Sequence, residues 1–186
     1  MNTYEVGAYM VHESSGVCQV MEISEQALQG RGSEKLYYSL EPVFSKGTRI
    51  TTPVDTKVRI RDVMESTEFE KLLERLPRLP VLVEENARAR TELFREEIAK
   101  FDIDALATVL KTVYLRKEKR IAEGKKVMAG DVRAMQLASK KLFEEMAFSM
   151  GCTVEEIEER FFGCLQPERD AMLQELEEQG LLVHPK

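Results

Sequence analysis

The spacing of apolar residues differs between the two halves of the chain. Up to Ile60, β-branched and aromatic residues stand in short runs between turn-forming residues, which is the pattern of short β-strands. The sequence Gly-Arg-Gly-Ser at 30–33 predicts an exposed hairpin tip. Strands are predicted at 9–12, 17–23, 35–40, 48–52 and 57–60. Five short antiparallel strands are typical of a small SH3- or Tudor-like barrel.

After Asp62 the apolar residues recur every three or four positions among Glu, Lys and Arg, which predicts amphipathic helices. Thr67 with Glu70, and Thr153 with Glu156, have the spacing of a capping box at a helix start. Helices are predicted from Thr67 to Pro77 and at about 84–100, 102–123, 128–150, 153–162 and 167–179.

These two patterns predict an α+β protein with two domains. The first, residues 1–63, is a five-stranded antiparallel Tudor/SH3-like β-barrel, and the second, residues 64–186, is all-α. No stretch approaches the roughly 20 apolar residues that a membrane span needs, and the first residues lack the pattern of a signal peptide. We therefore expect a cytoplasmic protein with no membrane partner.

The charge is unevenly distributed along the helical half. The net charge of −6 argues against binding nucleic acid by bulk attraction alone. Between Lys111 and Lys141, however, ten basic residues stand against three acidic ones, a local charge of +7. From Glu155 to Glu178 nine acids stand against two arginines. A basic surface upstream of an acidic end is therefore expected.

Residues suited to catalysis or metal binding are few. His12 and His184 are the only histidines, and neither has a nucleophile motif beside it. Cys18, Cys152 and Cys164 form no Cys-x-x-Cys pair, so we expect reduced thiols and no zinc site. There is no Gly-rich phosphate loop. The sequence predicts no enzyme, no cofactor, no metal and no small-molecule substrate.

Several phrases resemble a known family. They are YEVGAYMVH at 4–12, SGVCQV at 15–20, YYSL at 37–40, ITTPV at 50–54, and AGD at 129–131 followed by KKLFEEMA at 140–147. In this order they resemble the CarD-like family of bacterial transcription regulators, whose N-terminal module also occurs in the transcription-repair coupling factor. The resemblance implies that the barrel pairs an exposed strand with a strand of the RNA polymerase β subunit, which is β-augmentation. The candidate residues for this contact are Thr48, Arg49, Ile50, Thr51, Thr52 and Pro53.

The same resemblance implies contact between the helical domain and promoter DNA. Well-known members insert a Trp into the minor groove, but this chain has no Trp, and the corresponding position is about Ala87, which cannot wedge a base step. The candidate DNA-binding residues are Arg88, Arg90, Lys117, Arg120, Lys125 and Lys126. On a helix, Arg88 and Arg90 point about 200 degrees apart, so one of them is expected to reach DNA and the other to be solvated. The other four lie at a helix end and in the loop after it, which suits contacts with phosphates and equally suits a solvated helix end.

The sequence thus favours a regulator that is tethered to RNA polymerase, located at the nucleoid through the polymerase, and in weak, largely sequence-independent contact with promoter DNA. Such a regulator acts on the formation or stability of the open complex. The alternative is a protein-interaction adaptor whose Tudor-like barrel binds a protein other than polymerase. An enzyme with an unrecognised site between the domains is the weakest interpretation.

Overall fold

A computed structural model of the protein describes residues 4–27 and 34–183. The chain divides into two compact units, Met1–Glu65 and Ser66–Lys186. The division thus falls two residues after the end of the predicted first domain. The predicted hairpin tip at 30–33 and the side chain of His184 lie outside the described residues.

The N-terminal unit contains one five-stranded antiparallel sheet. Its strands are β1 (Tyr9–His12), β2 (Gly16–Gln26), β3 (Lys35–Pro42), β4 (Ile50–Pro53) and β5 (Ile60–Arg61). They are hydrogen-bonded in the order β4-β3-β2-β1-β5. Five strands form as predicted, but β5 shares only Ile60 with its predicted range. β2 extends beyond its predicted end because it pairs with β3 as far as Gln26 and Lys35.

The predicted closure into a barrel is not confirmed. In the part of the chain that the structure describes, β4 and β5 are the two edges of the sheet and no ladder joins them. Closure requires the edge strands to meet along a shared register. β5 has only two residues, both of which pair with β1, so it offers too little backbone for such a ladder. The sheet is therefore open at β4.

One apolar cluster holds this sheet together. Met10, Cys18, Val20, Tyr38 and Leu40 are fully or almost fully buried within it. Ile50 from β4 and Ile60 from β5 pack against the same cluster. Both edge strands are thus anchored by side chains. In the described ranges, the sheet therefore does not depend on the outward-facing backbone groups of β4.

The second unit consists of helices, as predicted. They are α1 (Ser66–Arg75), a short 3-10 helix (Leu76–Arg78), α2 (Ala87–Ala99), α3 (Ile103–Ala122), α4 (Ala129–Met150), α5 (Val154–Gly163) and α6 (Gln166–Glu178). The second predicted helix begins later than expected because the side chain of Asn86 accepts hydrogen bonds from the backbone of Arg88 and Ala89 and caps α2 there.

α3 is the central helix of this unit. Its apolar stripe, formed by Leu106, Val109, Leu110 and Val113, is buried, and the helix packs against α2, α4 and α6. α4 supplies the facing side chains Leu142, Phe143 and Met146, while Met135 is only half-buried. Phe143 and Phe161 of α5 pack with their ring centroids 5.1 Å apart. The position of α3 therefore determines where the charged residues at its end are placed.

Of the two predicted capping boxes, one forms. Thr153 Oγ1 accepts a hydrogen bond from the backbone of Glu156, whose carboxylate accepts one from the backbone of Thr153. Thr67, in contrast, lies inside α1, which begins at Ser66. The first prediction was therefore wrong by two residues, because the capping position before Ser66 is Glu65 and Thr-x-x-Glu spacing does not specify which residue begins a helix.

The two threonines make a matched test of the cap. Thr153→Ala is expected to lower the free energy of unfolding by about 1 kcal/mol, because the backbone N–H of Glu156 loses its acceptor. Urea denaturation followed by circular dichroism measures this. Thr67→Ala, at an exposed position within α1, is the control and is expected to change stability by less than about 0.5 kcal/mol. Equal losses in both variants would contradict the assignment of the cap.

Candidate functional site

The predicted polymerase-binding residues lie on and just before β4. Thr48 and Arg49 precede the strand and are exposed, and Thr51 is exposed within it. Ile50 and Pro53 are half-buried, whereas Thr52 is buried. Within the strand, Thr51 is therefore the side chain most accessible to a partner.

The register of β3 and β4 determines which backbone groups face outward. Val54 N–H donates to Leu36 C=O at 2.9 Å. Antiparallel strands alternate between hydrogen-bonded and non-hydrogen-bonded pairs, so the pairs Tyr38–Thr52 and Leu40–Ile50 are also hydrogen-bonded.

Thr51 and Pro53 consequently belong to non-hydrogen-bonded pairs with β3. Their backbone groups point away from β3, toward the open edge of the sheet. Proline has no N–H, so Thr51 supplies the outward-facing donor of β4. A strand that adds to this edge is expected to centre its hydrogen bonds on Thr51 and to end them at Pro53.

The predicted DNA-binding residues lie in the helical unit, and five of the six have solvent access. Arg88 is exposed on the first turn of α2, and Lys117 is exposed on α3. Arg120 donates from Nε to the carbonyl of Lys126 at 2.7 Å, which holds the loop after α3 against the helix. Lys125 and Lys126 are exposed in that loop, and Lys125 pairs with Glu123 at 2.7 Å.

The structure contradicts the prediction that Arg90 binds DNA. Its side chain is only 3% exposed, and its Nε pairs with Asp131 Oδ1 at 3.2 Å. Its Nη1 donates to the carbonyls of Glu84 and Glu85. An arginine whose donors are satisfied inside the protein cannot reach a phosphate, so the prediction that Arg90 binds DNA was wrong.

Asp131 is the centre of a buried ionic cluster. The Arg116 Nε atom pairs with Asp131 Oδ2 at 3.2 Å, on the oxygen that Arg90 leaves free. Asp131 stands on the first turn of α4, Arg90 on α2 and Arg116 on α3. The cluster therefore joins three helices at one end of the helical unit.

A close helix contact supports the same arrangement. A Cβ atom on Gly130 would lie 2.7 Å from the Thr91 Oγ1 atom, so a larger residue there would force the Thr91 side chain to move. The N-terminal turns of α2 and α4 thus meet beside the last turns of α3. We call this region the basic end, and it comprises those turns and the loop at 123–128.

Two further cations of the basic end were not singled out from the sequence. Lys119 and Arg133 are exposed on α3 and α4. The local excess of basic residues contained both, but nothing in the pattern separated them from ordinary solvated side chains. Lys117 lies toward α5 instead, where it lines a hollow of about 280 Å³ with Met135 and Phe162.

The comparisons with known proteins concern the N-terminal unit. Residues 4–64 match the model of the CarD-like/TRCF RID domain. The N-terminal unit is therefore similar to a CarD-like domain. CarD-like domains interact with the β subunit of RNA polymerase, which indicates a transcription-related protein. A search of curated proteins finds no match to the chain.

The match confirms the resemblance for the N-terminal, CarD-like unit, including β4. It does not cover α1 to α6, so the resemblance of the phrases at 129–131 and 140–147 stays a prediction. Within the described ranges, no helix is long and apolar enough to cross a membrane. Burial raises the pKa of the Cys18 thiol to about 11, so this cysteine is neutral at physiological pH.

The buried cluster makes a test of the helical unit. Asp131→Asn is expected to lower the free energy of unfolding by about 3–5 kcal/mol, because Arg90 and Arg116 lose their shared counter-charge. Urea denaturation measures the change. The control, Asp104→Asn, removes a partly exposed carboxylate that pairs with Arg75 and should cost less than about 1 kcal/mol. Similar losses in both variants would contradict a special role for Asp131.

Proposed function

We propose that this chain is a bacterial transcription regulator that binds the RNA polymerase β subunit through β4 and contacts promoter DNA through the basic end. It thereby modulates the formation or lifetime of the open complex in the cytoplasm, at the nucleoid. The proposal assigns it no catalytic role, cofactor or small-molecule substrate. The observation that carries it is the open edge of β4 within a CarD-like unit.

The edge of β4 suits strand addition for two reasons. Its backbone is positioned by the buried side chain of Thr52 and by Ile50, which packs on the core of the sheet, so a partner meets a pre-ordered strand. Its outward groups include the N–H of Thr51, and the ladder ends at Pro53. Backbone pairing supplies the attachment, and the exposed side chains of Arg49 and Thr51 supply selectivity.

Thr51→Pro tests the polymerase contact. The substitution removes an outward N–H that β3 does not use, so the unit should keep its fold while binding of the full chain to purified β subunit weakens about tenfold or more. Thr51→Val is the matched control, because it changes the side chain and keeps the N–H. It should bind within about threefold of wild type.

A third variant separates binding from folding. Thr52→Pro removes an N–H that pairs with β3, so it should destabilise the unit itself. If Thr51→Pro is folded and binds the β subunit as tightly as wild type, the proposed contact is wrong. If no folded form of the protein binds, the partner is another protein and the chain is an adaptor.

The basic end suits contact with phosphates rather than with bases. Arg88, Lys125 and Lys126 are exposed in a helical first turn and a loop, where their positive charges can approach a DNA backbone. Ala87, at the position where family members are known for a Trp, is exposed at the start of α2 and has no ring to insert. DNA contact in this protein is therefore electrostatic, and the polymerase tether raises its effective concentration.

The salt dependence of DNA binding tests the basic end. Lys125→Ala with Lys126→Ala should make the negative slope of log K against log salt shallower by about 2. The reason is that about 0.9 counterion is released for each phosphate contact, and two contacts are lost. The control, Arg95→Ala with Lys100→Ala, removes the same charge from exposed ion pairs further along and just after α2. Equal slopes for the two double variants would contradict DNA contact at the basic end.

A further inference from the structure

α6 runs alongside α3 in the same direction. At the start of α6, Glu168 Oε2 pairs with Lys111 Nζ of α3 at 2.8 Å. Beyond its end, Val183 N–H donates to the carbonyl of Ala122, the last residue of α3, also at 2.8 Å. The acidic second half of α6 therefore lies beside the turns of α3 that carry Lys119 and Arg120.

One acidic side chain of α6, Glu168, shares a cleft with two cations of α3. Arg116 and Lys119 line a cleft of about 450 Å³, whose wall on the α6 side includes Glu168 and Met172. Glu175 follows Met172 by three positions, so it continues the same side of α6 by another turn. Leu176 is buried and holds this turn of the helix in place.

The segment after α6 lies on the loop of the basic end. Gly124 begins this loop with a positive φ of 68°, and a Cβ there would lie 3.2 Å from Val183. A larger residue there would adopt a strained backbone conformation and displace the Val183 side chain, so glycine favours this packing. This contact holds the C-terminal segment next to Lys125 and Lys126, and it keeps α6 against α3.

We propose that α6 is an autoinhibitory helix whose carboxylates lower the affinity of the basic end for DNA. The inference rests on the proposed DNA contact. Carboxylates one or two helical turns from a DNA-facing cation repel the phosphates that the cation attracts, and salt screens this repulsion. Weak DNA binding by the free protein restricts DNA contact to molecules that polymerase already holds, because tethering supplies the missing affinity.

The test neutralises charge without disturbing packing. Glu175→Gln with Glu178→Gln changes two exposed side chains in the second half of α6. The control, Glu74→Gln with Glu159→Gln, gives the same change in net charge on α1 and α5. α1 lies at the opposite end of α3, where Arg75 pairs with Asp104, and α5 contacts α1 through Arg160 and Glu70. Affinity of the full chain for duplex DNA is measured by fluorescence anisotropy at about 50 and 200 mM salt.

The α6 variant is expected to bind DNA about fivefold tighter than wild type at the lower salt concentration, with a smaller gain at the higher one. The control is expected to stay within about twofold. Equal gains in both variants, or no gain in the α6 variant while wild type binds, would overturn the autoinhibitory role and leave the DNA contact standing. Failure of every variant to bind DNA would overturn both.

Discussion

In the part of the chain that the structure describes, the sheet of the N-terminal unit is open, and the proposed attachment of the protein to another molecule depends on its edge at β4. Because Val54 pairs with Leu36, the alternation of the ladder turns the N–H of Thr51 outward and places Pro53 where its missing N–H costs no pairing within the sheet. An exposed edge is normally a hazard for aggregation, and the proline limits its length. A short edge of this kind accepts a strand of matching register more readily than an arbitrary one.

The helical unit holds many positive charges together at its basic end, although the protein has a net charge of −6. The buried carboxylate of Asp131 neutralises part of this charge. It takes up Arg90 and Arg116, so that these arginines join helices while Arg88, Lys125 and Lys126 remain at the surface. α6 then adds negative charge beside the same region. Under the proposed function, attachment relies on backbone pairing at β4, and DNA contact is weak enough to depend on that attachment.

The sequence predicted the fold well where a local pattern determined the structure. Apolar spacing located four strands and six helices closely and the fifth strand to within its last predicted residue. Asp102 caps α3, accepting a hydrogen bond from Ala105 N–H at 2.9 Å. It was less accurate where pairing over long distances decides the outcome. The open edge follows from how few residues β5 contributes, and Arg90 is buried because Asp131 stands 41 positions later in the chain but beside it in space. Arg88 and Arg90 have the same chemistry, and only the fold separates a surface cation from a buried one.

Hydrogen exchange at the Thr51 amide is the measurement that tests the central claim most directly. In the free protein this N–H faces the open edge of β4 and should exchange quickly, whereas the N–H of Thr52 is protected by its pairing with β3. Addition of the RNA polymerase β subunit should slow exchange at Thr51 markedly and change Thr52 little. Exchange at Thr51 that stays fast in a saturated complex would show that the polymerase binds elsewhere on the protein.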